Sequence, residues 1–335
     1  MQKVGRAMRF LIVGCGSIGQ RHLKNLTQLG HEVIGCEIDQ PKASKVKKDF
    51  SVEVFSSLQE ALKKVYDGAF VCAPTSFHIP LAIELAKKGV NLFIEKPLSN
   101  NLTRIDELVR TARAKRLVCL VGCNLIFLSG FKQVRRLLDE NKIGKVISAR
   151  IECGFYLPFW HPKEDYRRQY SAHRSLGGGV IFDDIHELDL LYRIFGKVKD
   201  VFCFAKKMSS LKIDTEDIAE IFLKFKSGQI AQIHLDYLQP SYRRYYEFIG
   251  EKGVIAWDFI REKIELYTKE PNRYEVFEKS INASHNQMFI DEAKHFVNCI
   301  KKREKSLNDL SFAKKVLELS LACHASAQKG RIVRI

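Results

Sequence analysis

A short stretch in the middle of the chain combines three consecutive glycines, several acids and a histidine. It runs from Gly177 to Asp189, with Asp183 and His186 three positions apart. On a regular helix beginning near Val180, residues three apart lie on the same face, so this carboxylate and imidazole can meet. Imidazole exchanges protons near neutral pH. The pair is therefore a candidate for proton transfer, and the alternative is an ordinary solvated polar face.

One apolar stripe is expected to hold this helix in place. Because each helical residue advances roughly 100°, the stripe consists of Leu188, Leu191, Tyr192 and Phe195. Gly196 is expected to end the helix. The acid and imidazole face elsewhere, and the glycines before the helix are expected to leave room for close approach.

A second group of residues, near the N-terminus, predicts dinucleotide binding. The apolar strand Arg9–Val13 is followed by Gly14-Cys15-Gly16-Ser17-Ile18-Gly19 and a helical pattern. In this context Gly14 permits the turn, Gly16 lets the backbone approach a pyrophosphate, and Gly19 allows close helix packing. The phosphates are expected at the helix N-terminus, where Ser17 and Ile18 are the first residues.

An acid follows at the distance expected for a ribose-binding carboxylate. The second strand ends in Glu37-Ile38-Asp39; Glu37 is the first candidate and Asp39 the second. A carboxylate there accepts hydrogen bonds from both ribose hydroxyls and repels a 2′-phosphate, so NAD is favoured over NADP. Cations that could instead bind such a phosphate are Arg21, Lys42 and Lys45.

The pattern of elements predicts an α/β fold with two domains. Strand and helix patterns alternate as far as Asn124, which indicates a Rossmann doubly wound parallel sheet in residues 1–124. From Lys145 onward the apolar period changes to two, as in a half-buried strand with Ile147 and Ala149 on its inner face. Residues 125–335 are therefore expected to form an α+β domain for substrate binding and oligomerisation, with a large, mostly antiparallel open sheet. Its last helix is expected to pack back on the first domain.

Composition and charge limit the classes of protein to which this chain can belong. The chain has 335 residues and a net charge of +16, which attracts anions such as phosphorylated or carboxylated ligands. No nucleic-acid-binding pattern is found, no apolar run approaches the roughly 20 residues of a membrane span, and the stretch Met1 to Met8 does not resemble a signal peptide. Nine cysteines, an odd number without a CxxC pair, indicate reduced thiols rather than disulfides or a zinc site. A cytoplasmic protein without a metal is expected.

The segment 156–175 has no clear period and is rich in aromatic, arginine and histidine residues. A loop of this length inside a compact domain is usually functional. The candidates for holding a hydroxylated or charged substrate are Tyr166, Arg167 and Arg174, with Trp160 as an apolar wall.

Taken together, these motifs make the chain similar to the Gfo/Idh/MocA family of sugar oxidoreductases. The resemblance rests on four ordered elements and covers nearly the whole chain: Gly14 to Gly19, Ala73-Pro74-Thr75-Ser76-Phe77-His78, Glu95-Lys96-Pro97, and the glycine-rich helix with Asp183 and His186. It implies that Thr75 and His78 line the nicotinamide end of the cofactor. The resemblance also assigns Glu95 and Asn124 to the residues that bind the cofactor.

The resemblance also implies a chemistry. Hydride passes between a sugar carbon and nicotinamide, with His186 as the base, Lys96 as the electrophilic partner and Asp183 orienting His186. In many relatives the acid and histidine are one residue further apart, so Asp184 and Asp189 are alternative partners. The stretch 160–174 is similar to a subgroup found in surface-polysaccharide and nucleotide-sugar pathways. An NAD-dependent glycoside hydrolase and a nucleotide-sensing regulator are the alternative functions, and a homodimer or homotetramer is expected.

Overall fold

The computed structural model describes residues 7–162, 164–278 and 286–335. Residues 1–6 and Lys163, which belong to segments interpreted above, lie outside this part of the chain. The described residues form two compact units: residues 7–124 with 286–314, and residues 125–278 with 315–335.

The first unit is built on a six-stranded parallel sheet. The strands are β1 (Arg9–Val13), β2 (Glu32–Cys36), β3 (Val54–Phe55), β4 (Gly68–Val71), β5 (Asn91–Ile94) and β6 (Cys119–Val121). The helices between them are α1 (Ser17–Gln28), α2 (Gln40–Phe50), α3 (Leu58–Ala61), α4 (His78–Lys87) and α5 (Ile105–Ala114). The strand order is β3-β2-β1-β4-β5-β6, which is the doubly wound order of dinucleotide-binding sheets. The predicted Rossmann fold is confirmed.

The register of this sheet aligns the strand ends that carry the candidate site. Val13 pairs with Cys36 on one side and Val71 on the other, and Val71 in turn pairs with Ile94. The residues that follow these strands therefore lie along one edge of the sheet: Gly14, Glu37, Cys72 and Glu95. In open parallel sheets this carboxyl edge, where the strand order reverses, is where ligands bind.

Aromatic side chains form the centre of the first unit. Phe70 and Phe93 stack with ring centroids 4.4 Å apart, and Phe296 meets both rings edge-on. Phe296 belongs to a helix near the C-terminus, Gln287–Lys302, which is numbered below. All three rings are fully buried, and burying one such side chain stabilises the fold by roughly 1.5–3 kcal/mol.

The second unit contains the remaining elements up to that helix. Its helices are α6 (Ser129–Asp139), α7 (Leu157–Trp160), α8 (Val180–Asp183) and α9 (Ile185–Phe195). Its strands are β7 (Val146–Gly154), β8 (Val198–Lys206), β9 (Ile218–Phe225), β10 (Ile230–Asp236), β11 (Arg243–Gly250), β12 (Gly253–Asp258), β13 (Lys263–Thr268) and β14 (Arg273–Glu278). The chain ends with α10 (Gln287–Lys302), α11 (Leu310–Lys329) and β15 (Val333–Arg334).

A nine-stranded sheet organises the second unit, in the order β14-β13-β12-β11-β7-β10-β9-β8-β15. Its pairs are antiparallel except for β7 with β10, so the predicted mostly antiparallel sheet is confirmed. On β7 the buried face begins at Ala149. The prediction that Ile147 belongs to this face is wrong, because Ile147 lies near the start of the strand and is 49% exposed.

Candidate active site

The glycine-rich turn after β1 has the conformation that its spacing predicts. Gly14 has φ +90°, and a Cβ there would lie 2.7 Å from the amide nitrogen of Ala73. A Cβ on Gly19 would lie 2.0 Å from the carbonyl oxygen of Gly14, so only glycine lets α1 pack this closely. Around Gly16 there is open space within 4 Å. A ligand could approach the first turn of α1, at Ser17 and Ile18, from this side.

Glu37 lies directly beside this turn. Its carboxylate accepts hydrogen bonds from the amides of Cys15 (2.9 Å) and Asp39 (3.0 Å) and is 7% exposed. The Lys42 ammonium is 3.9 Å away. The second candidate, Asp39, caps α2 by accepting from the amide of Lys42. The structure therefore places the Glu37 side chain at the glycine turn and uses the Asp39 side chain in a local cap.

His78 fastens two loops at the same sheet edge. Its Nδ1 is 2.9 Å from the Pro97 carbonyl oxygen and its Nε2 is 2.8 Å from the Ala73 carbonyl oxygen. Burial lowers the pKa of His78, so the neutral ring donates to only one of these two acceptors at a time. Thr75, also buried, begins the short helical turn Thr75–Phe77 before it. Both residues lie where the chain leaves β4.

Glu95, Lys96 and Pro97 follow β5, and the Lys96–Pro97 peptide is cis. The Glu95 carboxylate is 2.7 Å from Nε2 of His22 and accepts a hydrogen bond from the Lys96 amide at 3.2 Å. Burial alone would raise the pKa of Glu95, but the hydrogen bond from His22 and the charge of Lys96 bring it below its usual value. His22 was missed in the sequence, where a histidine on a helix carries no distinct signal.

Asn124 begins a short helical turn, Asn124–Phe127, after β6. Its Oδ1 is buried and accepts no hydrogen bond from the residues that the structure describes. A buried carbonyl oxygen normally has a donor. Together with the space at Gly16 and the carboxylate of Glu37, this acceptor fits a dinucleotide at the sheet edge.

In the second unit, the glycine-rich stretch leads into two helices rather than one. Helix α8 ends at Asp183, Asp184 has φ −100° and ψ 35°, and α9 begins at Ile185. The prediction of a single regular helix from Val180 is therefore wrong. The two neighbouring acids, Asp183 and Asp184, bind different partners on the two sides of this break.

Three hydroxyl groups hold the Asp183 carboxylate. Ser171 donates at 2.7 Å, Tyr237 donates at 3.0 Å, and the Tyr170 hydroxyl donates in a short hydrogen bond. Asp183 is 9% exposed and His186 is 8% exposed. The alternative of a solvated polar face is wrong. Asp183 as the partner of His186 remains a prediction.

The space at the glycines is filled by the chain itself. A Cβ on Gly178 would lie 2.2 Å from the Tyr170 carbonyl oxygen, and a Cβ on Gly179, which has φ +111°, would lie 2.2 Å from a carboxylate oxygen of Glu216. Burial raises the pKa of Glu216 to about 7. Its carboxylate also accepts from the Ile181 amide at 3.3 Å. The close approach expected at the glycines is thus made by neighbouring segments of the same unit.

Behind the break lies a buried ionic cluster. Cys153, Asp184 and Glu187 offer ligand atoms within 4.8 Å of one another, which is metal-like spacing. Arg244 occupies this cluster, with ion pairs of 2.6 Å to Asp184 and 3.0 Å to Glu187. A guanidinium therefore supplies the positive charge. Neither Arg244 nor the hydroxyls around Asp183 could be identified from sequence spacing, because they come from distant elements.

The predicted loop after β7 consists of α7 and three short helical turns, Tyr166–Arg168, Tyr170–Ala172 and Arg174–Leu176. Trp160, 46% exposed, packs against Phe155 at 4.4 Å. Phe155 contacts Tyr237 at 5.3 Å, and Tyr237 binds Asp183. Two aromatic side chains, Phe155 and Tyr237, thus connect Trp160 with Asp183 at the end of α8.

The other three substrate candidates contact neighbouring polar groups. Arg167 forms an ion pair of 2.7 Å with Asp165. Arg174 donates to the carbonyl oxygen of Asp214 at 3.2 Å, and the Tyr166 hydroxyl accepts from the Lys212 amide at 3.1 Å. Lys212 and Asp214 line a cavity of about 540 Å³. The substrate role of these three residues and of Trp160 remains a prediction.

Comparison with known proteins identifies the family. Residues 8–123 match a model described as an oxidoreductase family with an NAD-binding Rossmann fold, and residues 131–256 match the GFO/IDH/MocA C-terminal domain. The chain belongs to the Gfo/Idh/MocA family. Its class is that of a dehydrogenase or reductase acting on CH–OH groups.

Several Gfo/Idh/MocA proteins are similar over their full length. Myo-inositol 2-dehydrogenase of Thermotoga maritima is 27% identical, with 98% of each chain covered. Scyllo-inositol 2-dehydrogenase (NAD(+)) of Bacillus subtilis is 23% identical, covering 98% of this chain and 96% of that protein. The fold matches the WlbA dehydrogenase of Bordetella pertussis in complex with NADH and UDP-GlcNAcA at 20% identity and a TM-score of 0.84, covering 98% of this chain and 99% of WlbA. Among the described residues, every helix is too short or too polar to cross a membrane.

Proposed function

We propose that this Gfo/Idh/MocA protein is an NAD-dependent dehydrogenase that oxidises a hydroxyl group of a sugar or nucleotide sugar, in surface-polysaccharide or nucleotide-sugar metabolism. The observation that carries the proposal is the position of Lys96. It is the second residue after β5, at the same sheet edge as the glycine turn and Glu37. A cation is thereby placed at the edge where a dinucleotide binds in this fold.

The cofactor is assigned to residues of the first unit. Ser17 and Ile18, in the first turn of α1, would hold the pyrophosphate, and Glu37 would accept from the ribose hydroxyls. We assign Thr75, His78, Glu95 and Asn124 to the nicotinamide end. When bound, NAD supplies the hydride acceptor at C4 of its nicotinamide ring. Because the Glu37 carboxylate repels a 2′-phosphate, NAD is favoured over NADP.

The chain's own residues manage the proton and the charge. His186 accepts the proton of the substrate hydroxyl, since an imidazole is neutral and basic near neutral pH. The Lys96 ammonium stabilises the negative charge that develops on the hydroxyl oxygen. Asp183, held by three hydroxyl groups, orients His186. Trp160, Tyr166, Arg167 and Arg174 are assigned to substrate binding.

The relatives support a polyol or sugar substrate. Two full-length relatives are named inositol dehydrogenases, and WlbA binds UDP-GlcNAcA. The net charge of +16 suits an anionic nucleotide sugar. All nine cysteines are buried thiols, which suits a cytoplasmic protein.

The direct test is the purified full chain with NAD or NADP and a panel of myo-inositol, scyllo-inositol and UDP-GlcNAcA, followed by the absorbance of the reduced cofactor. We expect reduction of NAD with at least one of these compounds. Lys96→Ala and His186→Gln should each lower kcat by roughly 10²–10⁴-fold. Lys88→Ala, at an exposed lysine just after α4, is the matched control.

Two results would contradict the proposal. Unchanged turnover in Lys96→Ala would show that Lys96 is not a catalytic residue. Release of sugar from a glycoside without net change in NAD would identify the hydrolase alternative instead, and binding of NAD without any turnover would favour the regulator.

We also propose a homodimer or homotetramer formed through the outer face of the nine-stranded sheet. Phe222 on β9 is 44% exposed and lies opposite Phe202 on β8, which packs against Phe204, 60% exposed. Exposed aromatic groups on an open sheet are typical of subunit contacts. Light scattering should give the mass of two or four chains, and Phe222→Glu should lower it.

A further inference from the structure

Two acids lie on either side of His186 in the sequence, and both bind one buried cation. Asp184 is the residue at the helix break, and Glu187 follows His186 directly. The guanidinium of Arg244 on β11 lies 2.6 Å from the Asp184 carboxylate and 3.0 Å from that of Glu187. Arg244 therefore joins the break and the first turn of α9 to the nine-stranded sheet.

All three charged groups are removed from water. Arg244 is 6% exposed, Asp184 is 5% exposed and Glu187 is fully buried. A buried ion pair adds little net stability when compared with an apolar replacement, but it fixes geometry closely, since leaving either charge unpaired is costly. Arginine suits this position because its planar fork can bind two carboxylates at once.

Neighbouring side chains complete the cluster. Tyr246 donates to Glu187 at 3.3 Å, and Cys153 donates to Asp184 at 3.4 Å. Burial raises the pKa of Glu187 to about 7, although the charge of Arg244 opposes this. The titratable groups that face the guanidinium come from β7, α9, β11 and the residue before β11: Cys153, Asp184, Glu187, Tyr246 and Tyr242.

The two neighbouring acids at the break bind different partners. Asp183 binds Tyr170, Ser171 and Tyr237, whereas Asp184 binds Arg244. The rotation of α9 relative to α8 is therefore held from two sides. His186 lies on α9 between the two acids bound by Arg244, so its direction depends on this contact.

We infer that Arg244 is a positioning residue for His186: by binding Asp184 and Glu187 together, it sets the rotation of α9 and so the direction of the imidazole. The inference rests on the proposed role of His186 as the base. It gives Arg244, which is remote in sequence from the glycine-rich stretch, a part in the reaction without contact to substrate.

The test replaces Arg244 in the full chain in three ways. Arg244→Met keeps the length but removes the charge, and Arg244→Lys keeps the charge but cannot bind both carboxylates with a planar fork. Because Arg244→Met alone leaves buried acids unpaired, a triple variant with Asp184→Asn and Glu187→Gln makes the whole cluster neutral and protects folding. Arg243→Met is the matched control, since that neighbouring side chain is 46% exposed and pairs with Glu152.

Two measurements are made on each variant. The first is kcat and KM with the substrate identified in the panel. We expect kcat to fall by on the order of 10–100-fold in all three Arg244 variants, with a smaller change in KM, because the base is misdirected. The second needs no substrate: the ring signal of His186 in protein labelled with ¹³C-histidine, assigned with His186→Gln. In Arg244→Met this signal should move, because the surroundings of the ring change when α9 is no longer held by the guanidinium.

The inference is overturned if folded Arg244→Met shows the same His186 signal over the pH range as Arg243→Met and the wild type. It is also overturned if the neutral triple variant regains wild-type kcat, since Arg244 would then only balance charge. If the proposed function is wrong instead, His186→Gln would keep full turnover. The ring signal of His186 would then still report whether Arg244 directs the imidazole.

Discussion

At the scale of single residues, Glu37 shows how a strand end becomes a recognition site. Its carboxylate accepts from the amides of Cys15 and Asp39, and hydrogen bonds to an ionised acceptor contribute roughly 1.5–3 kcal/mol each. The side chain is therefore fixed against the glycine turn. A negative charge held there can discriminate between a ribose hydroxyl and a 2′-phosphate.

Replacing Glu37 by Gln should relax this discrimination. The amide keeps the size of the side chain but loses the charge that repels a 2′-phosphate, so the preference for NADH over NADPH should fall by about tenfold, or roughly 1.4 kcal/mol. Fluorescence titration with both reduced cofactors measures the two dissociation constants. Glu32→Gln, at the exposed start of β2 where the acid pairs with Arg9, should leave the ratio unchanged. An unchanged ratio in Glu37→Gln would mean that another residue selects the cofactor.

At the scale of elements, the glycine run before α8 is a packing device. Gly179 meets the Glu216 carboxylate and has φ +111°, so both the backbone conformation and the lack of a side chain are needed. Glu216 in turn binds the Ile181 amide in the first turn of α8. The start of the site helix is thereby held before Asp183 and the break at Asp184 are reached.

Gly179→Ala should be strongly destabilising, by roughly 2–4 kcal/mol, because backbone strain and overpacking add. Gly196→Ala is the matched control: Gly196 also has positive φ, +78°, but a Cβ there meets open space within 4 Å. It should cost only about 1–2 kcal/mol. Urea unfolding of both variants measures the difference, and equal losses would show that contact with Glu216 is unimportant.

At the scale of the whole molecule, buried and paired titratable groups make stability depend on pH. His234 on β10 lies 2.6 Å from Glu220 and 2.9 Å from Asp236. Hydrogen bonds to these acids, Asp236 first, raise the pKa of His234 to about 9 despite partial burial. Asp236 is 2% exposed and also accepts a hydrogen bond from Gln239 at 2.6 Å.

The raised pKa of His234 makes the stability of the fold decrease as pH rises. Below its ordinary pKa of 6.5 the ring is charged in both folded and unfolded chains, so its ion pairs contribute fully. As pH rises from 6.5 through about 9, only the folded chain keeps the proton, and this stability is lost. The pKa of Glu187 and of Glu216, each about 7, makes stability fall in the same direction between 4.5 and 7.

His234→Gln should lower the free energy of unfolding by roughly 1 kcal/mol at about pH 6. It should also remove part of the decrease in this free energy between about pH 6 and about pH 9. Urea unfolding at several pH values gives both quantities. His31→Gln is the control, because burial lowers the pKa of His31, so its titration makes stability rise rather than fall with increasing pH. The same decline in wild type and His234→Gln would contradict the assignment.

The sequence by itself determined the architecture and the residues of the cofactor edge. Strand, glycine turn and helix are local patterns that can be recognised in the sequence. The carboxyl ends of parallel strands lie at the same edge of a sheet. Glu37, Glu95 and Lys96 could therefore be placed at one sheet edge from sequence order alone. Gly14 and Gly19 could be interpreted in the same way, because their contacts lie within one strand–turn–helix unit.

Only the tertiary structure decided what surrounds the acid and imidazole. Helix periodicity predicts one continuous helix with a polar face, yet the structure breaks it at Asp184 and buries that face. The cause is long-range: Tyr170, Ser171 and Tyr237 bind one acid, and Arg244 binds the next. Such partners come from segments up to 60 residues away. Their side chains meet only when the sheet has formed, so spacing along the chain could not reveal them.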